Sequence, residues 1–350
     1  MKLSIIVPVF NVEKHLRKCL DSLLDQDINK SEYEILIIND GSTDGSLDIA
    51  EEYVARFSNI MVHTKENGGV GSARNNGLDR SKGDYVYFID PDDYLKPNVL
   101  RLLLDTIISY NLEILTFSWT SFFDGKSKKI THEPAVKGDE CVPLSQIMTG
   151  IDYIAEHKYK SSVWWYFAKR SFLVKSKVRF IEGRWMEDAI FTTQLFLKAN
   201  TIADFPLNAH RYRVAPGTAM TSKKPSHYKK LIGDIHNAIF VFDEIVNDLK
   251  IEKVNHACIE RIKTRQQAFV FFLLVRMIKS TMNFDEVRLK IGSIGSIGAY
   301  PLNSFIGEDY NLFVYQVIAP LLNTKSRFYT CFRLFNPFFK LRYKLAKNID

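Results

Sequence analysis

The first 120 residues alternate short apolar runs with helix-patterned stretches, and this alternation constrains the fold more than any other feature. Residues 3–9 form one apolar run, as a parallel strand buried on both faces requires. Leu16, Cys19, Leu20, Leu23 and Leu24 then recur at helical spacing and share one face. Residues 34–39 (EILIIN) predict a second buried strand, and Asp44 caps a helix carrying Leu47, Ala50, Tyr53 and Val54. A third strand is predicted at 60–63, a helix at 71–80, a fourth strand at 84–89 and a fifth at 113–119. Pro97 suits the first turn of the intervening helix. The pattern is that of an α/β fold with βαβ units.

Beyond it, residues 123–139 are polar and predict a loop, and 150–221 are mixed. Residues 231–249 and 255–279 predict helices, and the small repeat at 293–298 a loop between helices. Pro337 predicts two short helices in the tail instead of one.

At 46% hydrophobic and 25% charged residues the chain is globular in composition. The opening apolar run stops at Pro8 and Asn11, too early for a signal sequence. The strongest apolar stretch, 268–275, falls short of the ~20 residues that cross a bilayer and predicts a buried helix. Cys19, Cys141, Cys258 and Cys331 are scattered, which argues against a zinc site or disulfide framework and for a reducing cytoplasm. The net charge of +7 equals the seven Lys and Arg of residues 325–349, where no acid occurs. A basic tail, with the rest of the chain neutral, argues against a nucleic-acid-binding face. Phe328, Phe332, Phe335 and Phe338 interleave with those cations, which suits an anionic membrane surface or docking on the helical region.

In open parallel sheets, ligands bind beyond the carboxyl ends of the strands. Polar clusters stand at four such ends: residues 8–11, 39–44, 67–75 and 90–93. The last, Asp90-Pro91-Asp92-Asp93, sets three carboxylates in four residues, which repel unless a cation or water screens them. Mg²⁺ or Mn²⁺ takes one or two carboxylates and lets substrate phosphates complete its shell. A helix N-cap is the structural alternative, for which one Asp suffices. Residues 68–74 (GGVGSAR) offer amides and a cation at a helix start, suited to phosphate oxygens. Arg74 replaces the third glycine of a dinucleotide fingerprint, which argues against a dehydrogenase, and its bland alternative is an exposed surface residue. Asp40 either accepts from a nucleobase imide or is a plain turn residue.

Ile5-Ile6-Val7-Pro8-Val9-Phe10-Asn11, Ile38-Asn39-Asp40-Gly41-Ser42-Thr43-Asp44, Asn67-Gly68-Gly69 with Ala73-Arg74-Asn75, and Phe88-Ile89-Asp90-Pro91-Asp92-Asp93 resemble family 2 glycosyltransferases in order and spacing. The resemblance implies an inverting enzyme of the GT-A type, a Rossmann-like mixed sheet flanked by helices. It implies a glycosyltransferase domain over 1–225, with a nucleotide-sugar-binding half at 1–120 and an acceptor half at 121–225. A mainly helical region with the basic aromatic tail then occupies 226–350. By the same resemblance Pro8, Phe10 and Asp40 form a uridine pocket, Asn67, Arg74, Asp90 and Arg213 contact the donor, and Asp92 with Asp90 holds Mn²⁺ or Mg²⁺. Trp185-Met186-Glu187-Asp188 resembles the motif whose Asp is the catalytic base. His210-Arg211-Tyr212-Arg213 with Gly217-Thr218 resembles a segment that closes over the diphosphate, with Thr218 where Ser is more usual. The expected function is transfer of a hexosyl or N-acetylhexosaminyl unit from a UDP-type donor to a glycan or lipid-linked acceptor in surface-polysaccharide or lipopolysaccharide synthesis. The enzyme is expected in the cytoplasm, peripheral on the inner face of the plasma membrane through residues 325–347, without nucleic acid. A nucleotidyltransferase would need a Gly-rich loop and lysine after the first strand, where Pro8-Val9-Phe10-Asn11 stands. An inactive nucleotide-sugar-binding scaffold is opposed by the intact Asp90, Asp92 and Asp188.

Overall fold

The structure, a computed structural model, describes residues 1–123, 126–130, 143–214, 225–303, 310 and 312–347. Gly217 and Thr218 lie outside the described residues. Contacts divide the chain into two compact units, Met1–Tyr153 with Tyr159–Ala215, and Ile154–Lys158 with Pro216–Asp350.

Up to Val214 the elements are β1 (Leu3–Val9), α1 (Glu13–Leu24), β2 (Tyr33–Asn39), α2 (Ser46–Arg56), β3 (Ile60–Thr64), α3 (Val70–Arg80), β4 (Tyr85–Phe88) and β5 (Tyr94–Leu95). There follow α4 (Leu100–Ser109), β6 (Ile114–Phe123), β7 (Lys126–Ile130), α5 (Gly150–Glu156), β8 (Tyr166–Lys169), α6 (Arg170–Ser176), α7 (Glu187–Leu197) and β9 (Ile202–Val214). One mixed sheet runs β3-β2-β1-β4-β8-β6-β9-β5, with β7 paired to β6. β1 pairs in parallel with β2 and β4, whereas β8 is antiparallel to β4 and β6.

The apolar run at 3–9 is explained by burial on both faces. Leu3, Ile5 and Val7 join Leu16, Leu20 and Leu23 of α1 in the main core. Ile6 and Ile38 point the other way, against α3, where Gly77 lets the helix approach: a Cβ there would stand 2.4 Å from Ile6 Cγ2 and 3.2 Å from Ile38 Cγ1. A helix that close to the strands brings its N-terminal residues to the sheet edge where the polar clusters lie.

Two local expectations are corrected in this part. The helix after the acidic turn begins at Leu100, so Pro97 precedes it, and Asn98 (φ 56°) turns the chain between them. Within the predicted loop at 123–139, residues 126–130 extend as β7, because β6 runs on to Phe123 and offers an edge to pair.

The second unit is helical: α8 (Pro225–Ile251), α9 (His256–Ile278), α10 (Phe284–Ser296), α11 (Phe313–Leu322) and α12 (Lys325–Lys347). Residues 268–275 lie in α9, with Ala268, Val270, Phe271, Leu273 and Leu274 buried as predicted. The repeat expected as a loop is mostly the last turn of α10, where Ile291 and Ile294 are buried and hold the turn in helix. The tail is one helix that runs through Pro337. Proline removes a single amide donor, and the turn before it is anchored: Asn336 Nδ2 donates to the carbonyls of Ile278 (3.0 Å) and Ser280 (2.7 Å), beside buried Phe328 and Phe332. Among the described residues no helix is long and apolar enough to cross a membrane.

Candidate active site

Pairing of Val9 with Asn39 and of Ile6 with Phe88 brings the carboxyl ends of β1, β2 and β4 to one edge. Pro8 is buried in β1 and Phe10 is half exposed just beyond it. Asn11, at φ 52°, binds the neighbouring loop: its Oδ1 accepts from the Thr43 amide (2.8 Å) and its own amide donates to Ser42 Oγ (3.2 Å).

Asp40 is buried and organises the third loop. Its Oδ1 accepts from Lys65 Nζ (2.8 Å) and the Gly68 amide (3.0 Å), and its Oδ2 from the Gly69 amide (2.8 Å). Asn67 Nδ2 donates to the Asp40 carbonyl at 3.0 Å. A nucleobase imide would therefore meet only the lone pairs those donors leave. Gly69 adopts φ 86°, a left-handed conformation that glycine allows without strain, and α3 starts at the next residue.

The carboxylates of the acidic turn diverge. Asp90 and Asp92 keep side chains 29% and 30% exposed, and Asp92 Oδ2 faces Arg213 Nη1 at 3.5 Å. Burial and then the Asp90 charge hold the Asp92 pKa above the usual carboxylate range, against the pull of Arg213. Asp93 turns inward: Oδ2 meets His210 Nε2 at 2.9 Å and Oδ1 accepts from the Arg213 amide at 2.7 Å. His210 Nδ1 meets the Tyr87 hydroxyl at 2.9 Å, completing a buried chain from β4 to β9. Burial drives the Asp93 pKa well up and the His210 pKa well down, so the neutral forms are favoured in that pair. The helix-cap alternative fails for Asp93, whose carboxyl is committed to β9.

Arg74 is buried, not exposed, and bridges two motifs. Nη2 meets Asp90 Oδ1 at 2.7 Å and Nη1 meets Glu187 Oε1 at 2.8 Å. Burial would discharge the guanidinium, but Asp90, Glu187 and Asp188 together raise its pKa above the ordinary value. Both terminal nitrogens are thus engaged inside the protein. Asn75, next on α3, fixes the segment leading to α7: its Nδ2 donates to Phe180 O and Glu182 Oε1 (2.9 Å each), and its Oδ1 accepts from the Phe180 amide (3.0 Å).

Glu187 and Asp188 open α7, where the helix dipole favours carboxylates. Burial, and then the neighbouring Glu187, raise the Asp188 pKa to about 7, with Arg74 pulling the other way. A carboxylate with a pKa near neutrality is a good general base at that pH.

Residues 4–173 match the family model described as glycosyl transferase family 2. Residues 4–173 are a family 2 glycosyltransferase domain. The chain is 31% identical over 217 residues to the glycosyltransferase EpsJ of Bacillus subtilis (strain 168), covering 61% of this chain and 62% of EpsJ. It is 38% identical over 117 residues to the poly(ribitol-phosphate) beta-N-acetylglucosaminyltransferase TarS of Staphylococcus aureus (strain Mu50), covering 33% of this chain and 20% of TarS. The chain thus spans less than two thirds of these relatives. The crystal structure of S. aureus TarS residues 1–349 in complex with UDP-GlcNAc superposes with a TM-score of 0.68 at 22% identity, covering 97% of this chain and 92% of that one. The fold of the family 2 domain is therefore GT-A, with a helical C-terminal region.

Asp40, Asn67, Asp90 and Asp92 stand beyond the carboxyl ends of β2, β3 and β4, Arg74 lies in α3, Asp188 opens α7 and Arg213 is on β9. The ion pairs Arg74–Asp90, Arg74–Glu187 and Asp92–Arg213 tie these elements together. Sequence reasoning left three residues without a partner or role. Glu187 stood in its motif only as Asp188's neighbour, Asn75 only as the end of the Ala73-Arg74-Asn75 match, and Lys65 carried no signal. Among the described residues no three His, Cys, Asp or Glu side chains are grouped to hold a metal. Two partly exposed carboxylates, with the Asp92 pKa raised by burial and then by the Asp90 charge, still fit a hard divalent ion whose remaining ligands are phosphates and water.

Proposed function

We propose that the chain is a metal-dependent inverting glycosyltransferase. It moves a sugar from a nucleotide diphosphate donor, UDP by family expectation, to a hydroxyl of a glycan or lipid-linked acceptor in surface-polysaccharide synthesis. The observation that carries this reading is Asp188: a carboxyl with a pKa near 7, adjoining Glu187, which Arg74 ties to Asp90 of the donor-side turn. TarS, named a poly(ribitol-phosphate) beta-N-acetylglucosaminyltransferase and solved with UDP-GlcNAc bound, supports a UDP-sugar donor.

In the proposed reaction the acceptor oxygen bonds to the anomeric carbon on the face opposite the leaving group. The bond to the diphosphate oxygen breaks and its electron pair leaves with the nucleotide. Asp188 takes the acceptor proton. Pro8, Phe10, Asp40 and Asn67 bind the nucleoside end, and Arg213 faces the diphosphate beside Asp92. Mn²⁺ or Mg²⁺, held by Asp92 and Asp90, would neutralise charge on the leaving diphosphate. Arg74 keeps Asp90 in place.

Incubation with Mn²⁺ and a panel of nucleotide sugars is expected to release nucleotide diphosphate from one donor and to raise the melting temperature with it. Asp92→Asn should weaken metal-dependent donor binding at least tenfold. Silence across the panel in both readouts would overturn the reading.

The tail extends the proposal to a membrane surface. Leu334, Phe335, Phe338 and Leu341 of α12 are more than half exposed, whereas Phe328 and Phe332 are docked. Docking on the helical region accounts for Phe328 and Phe332 but not for these four exposed side chains. Apolar side chains among cations suit the headgroup region of anionic vesicles. Co-sedimentation with phosphatidylglycerol vesicles is expected at low salt, and Phe335→Ser with Phe338→Ser should abolish it. Equal sedimentation of the double variant would refute the contact.

A further inference from the structure

Beside the carboxylates, two rings of β9 stack on Trp164, which precedes β8, and the proposed reaction does not use them. Trp164 lies nearly parallel to His210 (centroids 4.4 Å apart, 7° between planes) and to Tyr212 (5.1 Å, 19°). Exposure rises along the set, from 0% at His210 and 4% at Trp164 to 36% at Tyr212. His210 is pinned by Asp93 and Tyr87 at 2.9 Å each, so the stack starts from a buried hydrogen-bonded base and ends in an accessible ring.

The strand segment that carries that ring is held at the acidic turn. The Arg213 amide bonds to Asp93 and its guanidinium faces Asp92, so Tyr212 stands one residue from the acidic turn. Besides burial, Asp93, Asp90, Asp92 and Asp188 all push the Tyr212 phenol up, to about 12, which puts the base within electrostatic reach of the ring. The nucleoside end lies elsewhere, at the ends of β1 and β2, with β4, β8 and β6 between it and β9.

We propose that Tyr212 is the platform on which a pyranose ring of the acceptor stacks. The inference rests on the transferase reading above and adds the acceptor class. A donor sugar is anchored by its diphosphate at the acidic turn. An uncharged acceptor ring has no such anchor, and the C–H edges of its apolar face carry the partial positive charge that the negative face of an aromatic ring attracts. A stack already fixed by Trp164 and His210 loses little freedom on binding. An acyclic polyol offers no such face.

The test is saturation-transfer NMR on the whole chain with Mg²⁺ and UDP, using methyl β-D-glucopyranoside, methyl β-D-galactopyranoside and D-ribitol 5-phosphate as probes. A pyranoside is expected to show transfer strongest at the protons of its apolar face. Tyr212→Ala and Tyr212→Leu should reduce that signal at least fivefold, Leu because it keeps the cover over Trp164 but has no aromatic face. Tyr212→Phe should keep it within twofold, and melting curves confirm that each variant is folded. Absence of pyranoside signal in the wild type, equal signal in the Leu variant, or selective binding of ribitol phosphate would overturn the platform. A loss that appears instead on the sugar protons of a UDP-sugar would reassign Tyr212 to the donor. If the wild type releases no nucleotide diphosphate from any donor, it is the transferase reading that fails.

Discussion

Asp188→Asn is expected to cut sugar transfer about 10²–10⁴-fold while leaving donor binding in place, because general-base help of that size is lost and the side-chain shape is kept. The same substitution should raise thermal stability. Asp188 titrates near 7 in the fold against an ordinary 3.8, so between those values the native state holds a proton that the unfolded chain has released. Stability then falls as pH rises through that window, and the penalty is complete above about pH 7. Asn carries no charge to bury, so its gain in melting temperature should be largest at pH 8 and vanish near pH 4, at about 2–4 °C per kcal/mol recovered. In the wild type, kcat/KM should drop tenfold per pH unit below about 7, since the protonated carboxyl cannot accept a proton. Near-normal transfer by the Asn variant would place the base elsewhere.

Arg74→Met should be the most destabilising single change in the site. It strands Glu187, whose side chain is 7% exposed, and releases Asp90. Breaking a buried ion pair by removing one partner costs about 3–5 kcal/mol, because the remaining charge is left uncompensated. Urea denaturation should show that loss, and Arg74→Met with Glu187→Gln should recover part of it by removing the stranded charge. Arg74→Lys should not rescue activity, since a single ammonium cannot span two carboxylates as the guanidinium fork does. Unfolding within 1 kcal/mol of wild type in the Met variant would show that the bridge is not structural.

Much of the sheet was legible because buried parallel strands appear in sequence as apolar runs. The run at 3–9 is β1, and the predicted strands at 34–39 and 60–63 each fall one residue short of β2 and β3. Strand ends followed from the same pattern, and with them the acidic turn and the loops at 39–44 and 67–75. Pro337 shows where a local rule fails: a helix survives one missing donor when tertiary contacts hold the turns around it.

The sequence alone determined that strands end in polar clusters, because period and burial are local properties of the chain. Tertiary structure decided what each polar side chain faces. Asp92 and Asp93 are chemically identical neighbours, yet one faces Arg213 at the surface and the other is sealed against His210. Arg74 reads as a cation awaiting phosphate until Glu187, 113 residues away, is brought beside it. Which charges meet depends on the order in which distant strands and helices pack, and charge pairing has no sequence period to reveal it.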